Sequence, residues 1–281
     1  MNGKLFLTAT PIGNLEDMTF RAIRVMKEAD LIAAEDTRRT MKLLTHFDIH
    51  TPLTSYYEQN KLQKAPHLLS LLKEGKQIVL VSDAGTPGIS DPGEDLVRKA
   101  IEIGVDVIPV PGPTAFIAAL TASGLSTERF IFMGFLPRKS KELNADLELI
   151  KNEQNSVVIY EAPHRILNTL QAFLEHFPDR KIVAAREITK IHEEFIRGTV
   201  RDVYQHFLVH TPKGEFCLVL EGATPGAPID VEDLYIEAEK HYSEVVNSGI
   251  SKKEAVKKTA QKFGLSKNTL YQRLIAEKEA R

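Results

Sequence analysis

Three loops concentrate the residue types that hold small ligands: Thr10-Pro11-Ile12-Gly13-Asn14-Leu15, the stretch from Val81 to Gly93, and Val110-Pro111-Gly112-Pro113-Thr114-Ala115-Phe116. Each follows a short apolar run. In the first, Pro11 stiffens the exit and Gly13 permits positive φ or the close approach of a ligand. A cofactor cradle and a tight strand–helix connection both fit it. The second holds three glycines, two prolines and two aspartates, more turn chemistry than a connection of about 2–6 residues requires. Asp91 or Ser90 can cap the next helix with Pro92 in its first turn. That leaves Asp83, Gly85 and Thr86 for a ligand, and an aspartate there can accept from ribose hydroxyls or face a cation. The third loop is explained on its own by a helix start with Pro113 in the first turn. Three such loops after strands of one sheet would nevertheless converge on one edge.

Polar clusters close three other apolar runs: Glu35-Asp36-Thr37-Arg38-Arg39, Tyr160-Glu161-Ala162-Pro163-His164-Arg165 and Ala185-Arg186-Glu187-Ile188-Thr189-Lys190. Their carboxylates suit acid–base work and their cations suit phosphates. Helix caps and ion pairs account for the same residues. The basic loop Pro137-Arg138-Lys139-Ser140-Lys141 can meet a polyanion or simply be solvated. G-x-G-x-x-G, the P-loop signature, H-E-x-x-H and G-x-S-x-G are all absent, which argues against Rossmann, P-loop, zincin and α/β-hydrolase chemistry.

The elements that must position these loops are legible as periodicity. Lys4–Ala9, Leu31–Ala34, Gln77–Val81 and Val105–Val110 read as buried strands. Helical patterns lie between them near Thr19–Glu28, Arg38–Phe47, Asn60–Lys73, Gly93–Ile103 and Thr114–Ala122. Such alternation predicts βαβ units and a mostly parallel sheet, with ligands at the strand C-termini. In the second half Phe130–Gly134, Ser156–Tyr160, Lys181–Arg186, Glu194–Thr199 and Glu215–Glu221 read as strands. Helices are expected within Pro137–Asn155, near His164–Phe177 and around Val200–His210. The expected division is an α/β domain over 1–123 carrying the loops, a second α/β domain over 124–222, a linker near Gly222–Pro228 and a helical tail over 229–281. In the tail, Ser251 with Glu254 makes a capping-box pattern, and Ala255, Val256, Ala260 and Phe263 share a face. Gly264 ends that helix. Ser266 can cap another whose apolar stripe is Leu270, Leu274 and Ile275. Such a pair resembles a helix-turn-helix and equally suits a packing element.

Composition narrows the class. The 281 residues are 43% hydrophobic and 26% charged, ordinary for a globular chain and unlike collagen, coiled coil or disorder. No apolar run approaches the ~18 residues of a membrane span, and Met1 to Thr10 reads as a first strand rather than a signal peptide. The expectation is a cytoplasmic protein without membrane association. A single cysteine, Cys217, excludes an internal disulfide and a multi-cysteine zinc site. The net charge of −2 hides an asymmetry: residues 240–281 hold ten Lys/Arg and four Asp/Glu. A nucleic-acid-facing tail and a solvated lysine-rich helical surface both fit that balance.

Taken together, Thr10–Leu15, Ala34-Glu35-Asp36-Thr37-Arg38, Val81–Gly93, Pro111-Gly112-Pro113, Gly134-Phe135-Leu136-Pro137, Tyr160–Arg165 and Ala185–Lys190 occur in a distinctive order. In this the chain resembles the ribosomal RNA small subunit methyltransferase I group of the tetrapyrrole methylase superfamily, over nearly its whole length. The resemblance implies two α/β domains with S-adenosylmethionine in the cleft between them, no metal, and a homodimer. It implies 2′-O-methylation of a cytidine ribose in the decoding region of 16S ribosomal RNA, with that RNA or the 30S subunit as partner. Carried over residue by residue, it places the cofactor at Ile12, Gly85, Thr86, Ile89, Ala115, Phe116 and Tyr160, with Ala185, Arg186 and Phe216 beside them. The loop reading adds Gly13 and Asp83. RNA contacts are expected from Arg138, Lys139, Lys141, Arg165, Lys190 and Lys267. Relatives often have histidines within the segment that is here Tyr56-Tyr57-Glu58-Gln59-Asn60. Tyr57 and Gln59 stand in those places, so if a histidine there is the base in relatives, this chain needs another. Glu35, Asp36, Asp83, Glu161 and Lys190 are candidates, and one of Asp36 and Glu161 is expected to face the hydroxyl. C-methylation of a tetrapyrrole and a non-catalytic RNA-binding assembly factor are the competing readings. Steeply salt-dependent RNA affinity would count against the first, and turnover against the second.

Overall fold

The computed structural model describes residues 3–89, 91, 93–224, 231–263 and 265–279. The expectations for Ser90, Pro92, Gly264 and most of the linker fall outside the described residues. The chain forms two compact units, Met1–Ala223 and Thr224–Arg281.

The first unit holds two five-stranded sheets. In the first sheet the order is β3 (Leu53–Ser55), β2 (Leu31–Ala34), β4 (Gln77–Val81), β1 (Lys4–Thr8), β5 (Asp106–Val110). All four pairings are parallel, as the βαβ alternation requires. Ile78 to Val81 are buried without alternation, the mark of a strand covered on both faces. Helices α1 (Phe20–Glu28), α2 (Thr37–His46), α3 (Lys61–Lys73) and α4 (Gly93–Glu102) supply the cover. Thr19 caps α1 by accepting the Ala22 N–H at 3.1 Å. Asp36 caps α2 by accepting the Arg38 N–H at 2.8 Å. The connection from β1 leads toward β2 on one side, and that from β4 leads to β5 on the other. The strand order therefore reverses between β1 and β4, where open α/β sheets bind ligands.

The second sheet runs β6 (Phe130–Phe135), β7 (Ser156–Glu161), β10 (Phe216–Leu220), β8 (Lys181–Arg186), β9 (Glu194–Thr199). Only β6 and β7 pair in parallel; the other three pairings are antiparallel. Helices α6 (Ser140–Asn152), α7 (Ile166–His176) and α8 (Val200–Val209) accompany it. α8 starts with a full capping box, Thr199 and Asp202 each satisfying the other's backbone N–H. Helix α5 (Ala115–Ser123) follows the first sheet in sequence but packs on the second. Phe116, Ala119 and Leu120 are buried with Val158, Val183, Cys217 and Val219. The boundary read from sequence, after residue 123, therefore falls inside one compact unit.

The second unit is helical: α9 (Val231–Asn247), α10 (Lys252–Phe263) and α11 (Lys267–Glu279). Its core is Tyr235, Ala238, Val256, Ala260 and Leu270, with Phe263 and Leu274 partly buried beside it. The side chain of Ile275 lies outside the described residues. Glu254 N–H reaches the Ser251 hydroxyl at 3.4 Å, and the Arg273 guanidinium lies 4.5 Å from the Tyr235 ring centre. Among the described residues no helix is long and apolar enough to cross a membrane.

Candidate active site

Because the first sheet is parallel, its loops leave one edge together. They are joined there by backbone and hydroxyl bonds. Thr10 and Gly85 exchange two backbone hydrogen bonds, each 2.9 Å, which zips the first loop to the second. Gly85 has φ +82°, a conformation that disfavours any residue with a Cβ. Thr86 and Thr114 share a hydroxyl hydrogen bond of 2.6 Å, tying the second loop to the third. Gly112 lies against Ala9 so closely that a Cβ would stand 2.9 Å from the alanine methyl. Asp91 accepts the N–H groups of Gly88 and Gly93 at 2.8 Å. The residues without an evident task in the sequence thus have one: Gly85 and Thr86 lock the loops, and Asp83 joins strands β2 and β4. Its Oδ1 accepts the Asp36 N–H at 2.9 Å and its Oδ2 pairs with Arg39 at 3.3 Å.

On the other side of the site, the C-terminal ends of β7 and β8 meet the N-terminal end of β10. Phe216 is register partner to both Glu161 and Arg186. Between the two strand edges lies a cleft of about 530 Å³, within the ~300–1,000 Å³ usual for small-molecule sites. Ile12, Ile89, Ala115, Tyr160, Phe216 and Cys217 give it apolar surface, and Glu35, Arg39, Asp83 and Lys190 bring charge. The Tyr160 hydroxyl accepts the Phe116 N–H at 3.3 Å, satisfying a first-turn donor of α5. Burial pushes that hydroxyl up to about 12, so it remains protonated at neutral pH. Cys217, register partner of Tyr160, is likewise pushed up to about 12 by burial and stays a thiol at neutral pH. Of the expected cofactor residues, Ile12, Asp83, Ile89, Ala115, Tyr160 and Phe216 line the cleft. Gly85, Thr86 and Phe116 stand behind the lining in the loop joints. Gly13 lines an adjoining cavity, and the Arg186 guanidinium pairs with Glu194 at 3.0 Å.

The two carboxylates expected to face a hydroxyl are engaged elsewhere. Asp36 does not line the cleft; it caps α2 and also meets the Arg38 guanidinium at 3.4 Å. The Arg38 N–H, foremost, holds its carboxyl below the usual aspartate range. Glu161 borders the cleft but its carboxylate is buried. It accepts from the Ala162 N–H at 2.8 Å and the Thr169 hydroxyl at 2.5 Å, and pairs with Arg165 at 3.5 Å. Arg165 also donates to the Leu136 carbonyl at 2.8 Å and so is spent within the fold rather than offered to RNA. Lys190 is similarly engaged, 2.9 Å from Glu187 and 3.1 Å from Glu215. These two carboxylates outweigh burial and raise its ammonium above the ordinary lysine value, which suits a fixed cation and not a base. Arg138, Lys139 and Lys141 are exposed, with Lys139 3.2 Å from Glu142. Lys267 is exposed at the start of α11.

Among the described residues, Glu35 differs from Asp36 and Glu161 in having a single hydrogen bond to one of its oxygens. It lines the cleft, and its Oε2 accepts the Asp83 N–H at 3.3 Å. Burial first, then the carboxylates of Asp83 and Asp91, raise it above the ordinary glutamate value. The segment from Glu187 to Lys190 adds backbone strain at the rim. Glu187 and Thr189 both have positive φ, at 50° and 67°, unusual outside glycine and frequent at functional sites. The loop is held by Thr189, whose hydroxyl meets Asp17, and by the Lys190 stem packed over Gly13. Among the described residues no cluster of His, Cys, Asp and Glu could hold a metal ion. Sequence reading passed over Cys217 and Phe135, which line the cleft. Strand alternation could have found Cys217, since it shares a face with Val219 and opposes Tyr160.

A family model of the Tetrapyrrole (Corrin/Porphyrin) Methylases matches residues 4–204. The protein named ribosomal RNA small subunit methyltransferase I from Halalkalibacterium halodurans is 48% identical over 272 residues, covering 96% of this chain and 93% of that one. The chain belongs to the tetrapyrrole methylase family, in its ribosomal RNA small subunit methyltransferase I group. A member of the same name from Thermotoga maritima is 48% identical over 220 residues, 78% of this chain but 99% of that protein. That match is close to the length of the first compact unit alone. Among solved structures, uroporphyrin-III C-methyl transferase from Thermus thermophilus complexed with S-adenyl homocysteine is 18% identical, with a TM-score of 0.56 over 77% of this chain and 97% of that one. This likeness establishes the tetrapyrrole methylase fold of the two-sheet unit.

Proposed function

We propose that the protein methylates the ribose 2′-hydroxyl of a cytidine in the decoding region of 16S ribosomal RNA, using S-adenosylmethionine. The observation that carries the reading is the 48% identity, along 96% of the chain, to a protein named for small-subunit ribosomal RNA methylation. The cleft supports it. Its volume suits a nucleoside cofactor, Tyr160, Phe216 and Cys217 give it apolar surface, and Glu35, Arg39 and Asp83 stand among its polar groups.

In this reading Ile12, Ile89, Ala115, Tyr160 and Phe216 hold the donor, and the loop joints at Gly85, Thr86 and Phe116 fix their positions. The donor supplies an electrophilic methyl on a sulfonium, so the C–O bond forms as the C–S bond breaks and the 2′-hydroxyl loses its proton. The protein's share is alignment and acceptance of that proton. Glu35 is the acceptor: it lies in the cleft with one oxygen held by the Asp83 N–H, and burial makes it a stronger base than an exposed glutamate. Arg39 balances the carboxylates around it. Lys190, kept protonated, closes the rim beside Gly13.

The reading includes a second copy of the chain as partner, tested by sedimentation equilibrium, and action in the cytoplasm. The decisive experiment incubates the protein with 30S subunits, or with 16S RNA, and methyl-labelled donor, then digests the RNA to nucleosides. Label in 2′-O-methylcytidine is the expected outcome. Transfer to a tetrapyrrole acceptor alone, or donor binding without turnover on either RNA, would overturn it.

A further inference from the structure

Lys42 has no part in the scheme so far, and Arg39 has only that of balancing carboxylates. Arg39 and Lys42 lie one turn apart on α2 and both line a smaller cavity of about 240 Å³. The two cavities share Arg39, Ser82 and Asp83 as a common wall. Asp83 is the side cavity's one carboxylate; Asp36 N–H holds one of its oxygens and Arg39 the other. Arg39 keeps 67% of its side chain exposed despite that pair, which leaves guanidinium N–H groups facing outward. Lys42 is exposed and has no ion-pair partner among the described residues. The side cavity thus presents two positive charges against one carboxylate whose oxygens are already engaged.

We infer that this side cavity is a subsite for a phosphodiester of the RNA strand at the methylated nucleotide, held by Arg39 and Lys42. The inference rests on the function proposed above and deepens it. A ribose 2′-oxygen and 3′-phosphate sit on adjacent carbons, so a ribose presented to Glu35 carries its phosphate only a few bonds away. Arg39, common to both cavities, stands where that short span must cross. Contacts of this kind set the register of a strand without reading its bases. They would place one ribose, and no neighbour, in line with the donor.

The test measures affinity for a fluorescein-labelled fragment of 16S RNA against salt concentration, using the full chain and its Lys42→Gln, Arg39→Gln, double and Arg39→Lys variants. Each neutralised phosphate contributes about 0.7 to the slope of log K against log salt for single strands. Each Gln change should therefore flatten the slope by about 0.7, which at 0.1 M salt is about a 5-fold loss of affinity. The double variant should lose about 1.4, and Arg39→Lys, which keeps the charge, should retain the slope. Donor affinity, measured by calorimetry, should stay within about twofold for Lys42→Gln. A double variant that melts like the parent and keeps the full slope overturns the subsite. So does a variant set that weakens the donor while leaving the RNA slope intact. A wild-type protein that binds no RNA overturns the functional reading and the subsite with it.

Discussion

Replacing Glu161 by alanine should destabilise the first unit severely while sparing the chemistry in whatever fraction folds. The carboxylate has three partners. Removing it leaves the Ala162 N–H, 2.8 Å away, and the Thr169 hydroxyl, 2.5 Å away, without acceptors in a buried setting. Each orphaned group costs about 1–3 kcal/mol. The third partner, Arg165, keeps the Leu136 carbonyl at 2.8 Å but loses its counter-ion with only 18% of its side chain exposed. Breaking a buried pair from one side costs about 3–5 kcal/mol in total, and these overlapping contributions are not additive. A loss of about 4 kcal/mol is the working value. At roughly 2–4 °C per kcal/mol for a unit of this size, the melting temperature should fall by about 8–16 °C. Glu161→Gln should cost less, because the one amide oxygen can still accept the Ala162 N–H while the amide NH2 donates to the Thr169 hydroxyl oxygen. The assay pairs urea unfolding with methyl-transfer rates taken well below the new midpoint, both corrected to folded protein. A stability loss under about 1 kcal/mol together with a thousandfold drop in rate would refute this reasoning and return Glu161 to the reacting centre.

Glu35→Gln should leave folding and donor binding intact and lower the transfer rate by about 10²–10⁴-fold, the usual contribution of a positioned base. The wild-type rate should climb as pH rises through the Glu35 pKa, which lies above the ordinary glutamate value, and the variant should lose that limb; an unchanged profile counts against the assignment. Gly85→Ala places a Cβ at φ +82°, 3.4 Å from the Ile12 side chain, so it should cost about 1–2 kcal/mol of strain and weaken donor affinity in a calorimetric titration. Ending the chain at Ala223 removes the second unit. The remainder should fold and bind the donor while its RNA affinity drops, and loss of donor binding in a folded truncation would show that the tail serves the cleft.

The loops were legible because their turn chemistry exceeded what connection requires, and the elements around them because apolar runs and helical periods are long. Leu53–Ser55 escaped, being three residues after a proline with no alternation to display. The antiparallel pairings of the second sheet escaped because two of the three join residues 30 to 63 positions apart. Site roles divided in the same way. That Asp36 caps a helix is a local fact, visible in the spacing to Arg38. That Asp83 bonds the Asp36 N–H across 47 residues, or that Glu161 spends its oxygens on Thr169 and Arg165, depends on contacts that form only when the strands assemble. Polar residues at strand ends announce a site; their partners decide which of them remain free to act.

The placement of α5 bears on how the first unit can come apart. The helix is threaded from one sheet and glued to the other, so the two sheets are not separable modules. A fragment ending at Ser123 would expose Phe116, Ala119 and Leu120 to water, and a fragment beginning at Gly124 would uncover Val158, Val183 and Val219. Neither piece should be soluble alone, but the two co-expressed should find each other through that missing helix, as in split-protein complementation. Evolution can vary the length of this chain, since the Thermotoga maritima relative matches 78% of it over 99% of its own length. It cannot exchange one sheet for another without also redesigning the helix that both share.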